Sequence, residues 1–258
     1  MTVVALEATL RERRDRGAKL LVPYITGGLG TDWTDAVRAA TDAGADALEI
    51  GIPFSDPVMD GPVIQEASDR ALKAGATPHR ILAELAELDL GIPLAVMTYY
   101  NIAFRAGHER FAADLIRAGV GAAILPDLPL CESGPWRGAA SDAGVESVLL
   151  AAPTTPDGRL GELCEASRGF VYAVGLLGVT GERSSLAASA TEIAARCKAV
   201  TDRPVLVGVG VSSPGQAAEV VEVADGVIVG TAVVRRLMES GPRGVGELVA
   251  EFRRALDA

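Results

Sequence analysis

Aromatic residues are scarce in this chain of 258 residues, at 4% of the total, and histidine occurs only at His79 and His108. An interior must therefore be built from Ala, Val, Leu and Gly, which suit close packing of helices on strands. Hydrophobic residues reach 49%, enough for a sizeable core. Cys131, Cys164 and Cys197 are an odd number and widely spaced. Neither they nor the histidines have the spacing of metal ligands, so no metal site is expected, and free thiols in a reducing cytoplasm are. No run of ~18 apolar residues occurs, which argues against a membrane span. Positive charge is also short, with 24 Lys and Arg against 34 Asp and Glu and a net charge of −10. That balance argues against a nucleic-acid or anionic-membrane surface, although a local amide-rich pocket for a phosphate ester remains compatible with it. The N-terminal stretch around Leu6-Glu7-Ala8-Thr9-Leu10-Arg11-Glu12-Arg13-Arg14 has the pattern of an amphipathic helix and not of a signal peptide. A soluble cytoplasmic protein is the expectation.

Short apolar runs recur along the chain at 20–25, 47–50, 94–98, 122–125, 147–150, 171–174, 205–209 and 226–229. Each is followed by a polar or Gly/Pro turn, and Ala-rich helical patterns lie between them, as at 33–43, 109–118 and 214–223. Apolar strands alternating with helices imply a parallel sheet covered on both faces. Eight such units close more naturally into a (β/α)8 barrel than into an open sheet, and about 250 residues is the usual size of that fold. The first strand is not followed by Gly-x-Gly-x-x-Gly, which disfavours a dinucleotide fold. With no linker composition, residues 1–258 read as a single TIM-barrel domain with an N-terminal helix.

One connection is oversized. From Ile50 to Leu94 the chain holds an acidic loop and two helical patterns, at 63–73 and 78–88. Long loops in compact domains tend to carry function, and in these barrels the loops after the strands form the active face. Glu49 is a carboxylate inside an apolar strand, a costly position unless the group is paired or working. Asp56 and Asp60 follow on the loop. Glu49 with Asp60 folded back over it is an acid/base arrangement in outline, although Asp-Gly-Pro at 60–62 is also ordinary turn chemistry.

Three glycine-bearing turns follow the last strands: Gly178-Val179-Thr180-Gly181, Gly208-Val209-Gly210-Val211-Ser212-Ser213 and Gly230-Thr231-Ala232. Glycine lets an anion approach the backbone, and helix N-termini favour it. Each turn has a plainer reading. Ser213-Pro214-Gly215-Gln216 is a good capping box, and Thr231 can serve as a cap. Their recurrence on one rim points to a phosphate site.

These residues together carry a resemblance. Pro23-Tyr24-Ile25-Thr26-Gly27-Gly28, the Glu-x-Gly-x-Pro-Phe-Ser-Asp-Pro-x-x-Asp-Gly-Pro segment from Glu49, Met97-Thr98-Tyr99-Tyr100-Asn101, Pro126-Asp127-Leu128-Pro129, Gly178-Val179-Thr180-Gly181 and Gly230-Thr231 resemble the tryptophan synthase α subunit family over nearly the whole chain. The loop after the second strand is specific to that family, whereas the phosphate turns are shared by many barrels. The resemblance implies cofactor-free retro-aldol cleavage of indole-3-glycerol phosphate to indole and glyceraldehyde 3-phosphate. It implies Glu49 as the group that exchanges protons with indole carbon 3 and the adjacent hydroxyl, and Asp60 as the partner of the indole N–H. By the same match Tyr24, Met97, Tyr99, Ile124, Tyr172 and Val209 wall the indole pocket, with Thr180 on the loop that closes over it. Barrel core is the other reading of those strand residues. The match further implies Gly181, Gly210, Gly230 and Thr231 as phosphate-binding residues, and Pro53, Asp56, Asn101 and Pro129 as residues that meet a pyridoxal-phosphate β subunit. Arg183 reads as a phosphate contact or as a solvated surface arginine.

The chain departs from the family pattern at Thr231 and Gly175, where serine is usual, at Ile102 after Tyr100-Asn101, and at Leu130-Cys131 after Pro126-Asp127-Leu128-Pro129. The catalytic pair is untouched, while the last two changes fall on loops that face the β subunit in the family. Three readings follow: an α subunit handing indole to a β subunit, a stand-alone lyase releasing free indole, and a weakly active regulatory partner. The presence of both Glu49 and Asp60 argues against the third, and the loop after the second strand argues against a phosphate-sugar isomerase.

Overall fold

The computed structural model describes residues 3–175, 183–208 and 210–258, the side chains of 183–188 excepted. Among them, eight parallel strands close into a barrel in sequence order. They are β1 (Leu20–Thr26), β2 (Leu48–Gly51), β3 (Leu94–Met97), β4 (Ala122–Ile124), β5 (Glu146–Ala151), β6 (Val171–Val174), β7 (Val205–Gly208) and β8 (Gly226–Val229). Closure runs through β1, which pairs with β2 on one side and β8 on the other. Helix α1 (Leu6–Asp15) precedes the barrel. The surrounding helices are α2 (Trp33–Asp42), α3 (Pro62–Lys73), α4 (Pro78–Ala86), α5 (Tyr100–Ala106), α6 (His108–Arg117), α7 (Gly134–Ala143), α8 (Asp157–Ala166), α9 (Arg183–Lys198), α10 (Pro214–Val220) and α11 (Thr231–Leu256). The oversized connection after β2 thus holds both α3 and α4.

Strand alternation sorts the core into two shells. Leu21, Ile25, Leu48, Ile50, Val96, Val205 and Val207 face outward beneath the helices. Leu20, Val22, Ala47, Ala95, Ala122, Ile124, Val148, Tyr172, Leu206 and Ile228 fill the interior. Helix α1 plugs the end where the strands begin, with Leu6 and Leu10 joining the interior cluster. Its own sequence offers no cap, since Ala5 stands at that position. Glu146 at the start of β5 supplies one from a distance, accepting from the Leu6 and Glu7 amides at 2.8 Å each.

Element ends differ from the sequence pattern where hydrogen bonding overrides it. Strand β1 extends to Thr26, whose ladder partner is Gly51. Helix α10 stops at Val220, before the apolar pattern does, because Val223 bonds back to Val220 in a turn. The capping box forms in altered shape: Ser213 accepts from the Gln216 amide at 3.4 Å, but Gln216 Oε1 returns to Ser212. Helix α11 breaks at Gly241, which has φ 64°, just before Pro242 removes a backbone donor.

Asp46, just ahead of β2, locks this end of the barrel. It is 2% exposed and accepts from the Leu21 amide at 2.7 Å, from Arg13 at 2.5 Å and from Arg253 at 3.1 Å. A buried carboxylate paired this fully is costly to break, because removing one side strands two guanidinium groups and an amide. Asp46→Ala is expected to cost about 3 kcal/mol, read from urea unfolding. A midpoint equal to wild type would show that the cluster contributes nothing to stability.

Candidate active site

Glu49 lies on β2 between Leu48 and Ile50, both of which face outward, so its side chain points into the barrel. It is 1% exposed, and neither carboxylate oxygen has a hydrogen-bond partner among the described residues. An unpaired buried carboxylate is the costly form, so the group favours the neutral acid. Burial first, and the charge of Asp60 second, push its pKa up to about 8.

Asp60 sits on the loop between β2 and α3 and is partly buried. The loop is folded by its own short bonds, Val58 to Asp56 and Asp60 to Pro57, and by the Gln65 amide group donating to the Asp60 carbonyl at 2.9 Å. Tyr99, just past β3, pins it from the far side. Its hydroxyl accepts from the Met59 amide at 2.9 Å and donates to Asp60 Oδ2 at 3.4 Å, while its ring stacks on Phe54 with centroids 5.0 Å apart. Burial raises the Asp60 pKa to about 6, and the Tyr99 hydroxyl works against that rise. The Tyr99 phenol is itself pushed up to about 12 by burial first and then by Asp60, so it stays a donor.

The two carboxyls therefore titrate apart, with Glu49 above neutrality and Asp60 below it. Near pH 7 one is an acid holding its proton and the other a base without one, a division that environment alone can set.

Two tyrosines complete the interior wall. Tyr24 on β1 lies beside Glu49 in ladder register. A Cβ on Gly51 would stand 1.9 Å from the Tyr24 hydroxyl, and one on Gly208 would stand 2.3 Å from that of Tyr172. Each ring occupies space that only a glycine on the neighbouring strand leaves free. Burial first, and then the site's anionic groups, hold both phenols above the ordinary tyrosine range. The resemblance implied both tyrosines as pocket residues and did not disclose the two glycines; an inward glycine inside an apolar strand was the available signal.

Met97 and Ile124 face inward on β3 and β4, next to the interior cluster. Gly210, with φ 93°, follows β7, and Gly230 and Thr231 open α11 directly after β8. The Gly230 cap has no side-chain bond, so the first-turn amides of α11 carry no capping side chain. Thr180, Gly181 and Val209 lie outside the described residues. Asp56, Asn101 and Pro129 are exposed, whereas Pro53 is buried within the chain. A contact the sequence did not disclose joins two of these segments: the Tyr100 amide at the start of α5 donates to Asp127 Oδ1 at 2.8 Å. Among the described residues, no His, Cys, Asp and Glu side chains group as a metal site requires, and no helix is long and apolar enough to cross a membrane.

A parallel barrel with a buried acid and an adjacent base at the C-terminal ends of its strands is an acid–base enzyme of the (β/α)8 class. The family model for the tryptophan synthase alpha chain matches residues 10–254. The tryptophan synthase alpha chain of Streptomyces coelicolor is 44% identical over 263 residues, covering 98% of this chain and 97% of its own. That of Thermobifida fusca is 45% identical over 247 residues, covering 93% and 90%. Among solved structures, a Mycobacterium tuberculosis tryptophan synthase chain superposes with a TM-score of 0.91 at 38% identity, with 100% of both chains covered. The tryptophan synthase subunit alpha of Legionella pneumophila gives 0.87 at 32% identity, covering 98% of each. This chain belongs to the tryptophan synthase alpha chain family.

The unpaired Glu49 has a consequence for stability. Its pKa in the folded chain, about 8, exceeds the ordinary 4.5, so between those values the folded state binds more protons than the unfolded one. Stability conferred by the neutral acid is present below about 4.5 and is lost as pH rises through about 8. Glu49→Gln is expected to be more stable than wild type at pH 9, with the difference shrinking toward pH 4, in urea unfolding at each pH. Parallel curves for the two proteins across this range would contradict the burial argument.

Proposed function

We propose that the chain cleaves indole-3-glycerol phosphate to indole and glyceraldehyde 3-phosphate, as the alpha subunit of a tryptophan synthase. The observation that carries this reading is the buried Glu49 carboxyl facing into the barrel beside the Tyr99-held Asp60, within one family-specific segment, with burial pushing their pKa values up to about 8 and about 6.

The chemistry uses both states. Glu49 as the neutral acid gives its proton to indole carbon 3, which breaks aromaticity and leaves positive charge on the ring nitrogen. Asp60 as the carboxylate faces that N–H and stabilises the charge. The side-chain carbon–carbon bond then breaks, its electrons return to the ring, and the adjacent hydroxyl becomes an aldehyde by giving its proton to the Glu49 carboxylate. One proton has entered at carbon and one has left oxygen, so Glu49 ends as it began. The interior of Tyr24, Met97, Ile124 and Tyr172 supplies an apolar slot for the indole, and the first-turn amides of α11 with Gly230 and Thr231 suit the phosphate.

A β-subunit partner is favoured over a stand-alone lyase by the rim beside the acidic loop. Val58 is 83% exposed, Met59 46% and Phe104 61%, on segments that follow the adjacent strands β2 and β3. Asp56, Asn101 and Pro129 lie exposed on the same run of connections. Large apolar side chains exposed on neighbouring connections suit burial against a second protein.

The purified chain is expected to release indole from indole-3-glycerol phosphate, and a β subunit from the same organism to raise that rate strongly. Fast turnover unaffected by the β subunit would favour the stand-alone lyase, and no turnover in either condition would sink both. Glu49→Gln should abolish cleavage while binding remains measurable, and Asp60→Asn should slow it by roughly 10²–10⁴-fold. In wild type, kcat/KM should peak between about 6 and 8, falling below as Asp60 gains a proton and above as Glu49 loses one.

A further inference from the structure

We propose that the Tyr24 hydroxyl, backed by the Thr26 hydroxyl, is the positioning donor that receives the Glu49 carboxylate between its two proton transfers. The proposal deepens the lyase reading and depends on it for the identity of the substrate.

Glu49 has a problem that the reaction creates. As a neutral acid it tolerates burial without partners, but once its proton is on the substrate it is an anion in a buried interior with only the substrate hydroxyl to meet it. No described cation acts on Glu49 or on Asp60. The ionisable groups around Glu49 are Asp60 from the loop after β2, Tyr24 from β1 and Tyr172 from β6, with Tyr99 engaged on Asp60. Among the ionisable side chains around it, a donor is therefore a neutral hydroxyl.

The geometry selects Tyr24. It is the ladder partner of Glu49 on the adjacent strand; Tyr172, reaching in from β6, has Glu49 as its leading charged neighbour and is the competing donor. The Tyr24 ring crosses toward β2, so its hydroxyl lies over Gly51, on the inward side of the strand that carries Glu49. Thr26, the ladder partner of Gly51, is wholly buried, with its hydroxyl set against the Tyr24 phenol. That hydroxyl is also the neighbour that eases the Tyr24 phenol downward, against burial and the site's anionic groups. The staggered torsions of the Glu49 side chain allow the carboxylate to turn toward Tyr24 as its charge forms. Thr26 then donates to the Tyr24 oxygen and Tyr24 donates to Glu49, a chain in which no proton leaves its owner.

The test removes one oxygen at a time. Infrared titration of the Glu49 carboxyl band, identified by its absence in Glu49→Gln, needs no substrate. Tyr24→Phe is expected to move the midpoint up by about one pH unit, because a donor to the charged form is lost. Thr26→Val should move it in the same direction by less, and Thr26→Ser should restore the wild-type midpoint. With indole-3-glycerol phosphate, Tyr24→Phe should lower kcat about tenfold with KM little changed, since the donor acts only after proton transfer. An unchanged midpoint in Tyr24→Phe, or a shift produced by Tyr172→Phe instead, overturns the proposal. If wild type does not cleave the substrate at all, the lyase reading falls, and the infrared midpoints still decide the part played by Tyr24.

Discussion

A carboxyl group held inside the barrel with no hydrogen bond from any described residue is the constraint on which the rest of this site depends. Glu49 is 1% exposed with both oxygens unpaired among the described residues, and that state is tolerable only while the group is neutral. Its neutrality near pH 7 makes it an acid, and Asp60, less buried and steadied by Tyr99, is left as the base. The acidic loop must then be held over the barrel mouth, and Tyr99 does this through the Met59 amide and the Phe54 ring.

The opposite end of the barrel solves the same problem the other way. Asp46 is as deeply buried as Glu49, yet it is met by a backbone amide and two arginines. Glu146 is likewise occupied, capping α1. Carboxylates where the strands begin are satisfied and join the plugging helix to the sheet; the one where they end is left unsatisfied. The division matches the general separation of stability and activity between the two faces of these barrels. Membership of the tryptophan synthase alpha chain family follows from the whole chain, and the split between these carboxyls supplies a physical reason for its chemistry.

Much of this was legible in the sequence because burial on both faces makes a parallel strand a plain apolar run. All eight strands stand where such runs occur, and the long connection after β2 carries the two helices its pattern indicated. Glu49 was visible as a charge out of place in one of those runs. What stayed hidden depends on partners distant in sequence. Tyr99 as the anchor of the acidic loop, Glu146 as the cap of α1, Asp127 as the cap of α5 and the space Gly51 leaves for Tyr24 each join residues that only the closed barrel brings together. Hydrophobic periodicity reports which face a residue takes, not which residue it meets there.

The protonation states can be seen directly. Neutron diffraction from a deuterium-exchanged crystal held at pH 7 would locate the deuterons on both carboxyl groups. A deuteron on the Glu49 carboxyl and none on Asp60 is the expected result, as pKa values near 8 and 6 require. A bare carboxylate at Glu49 would contradict it.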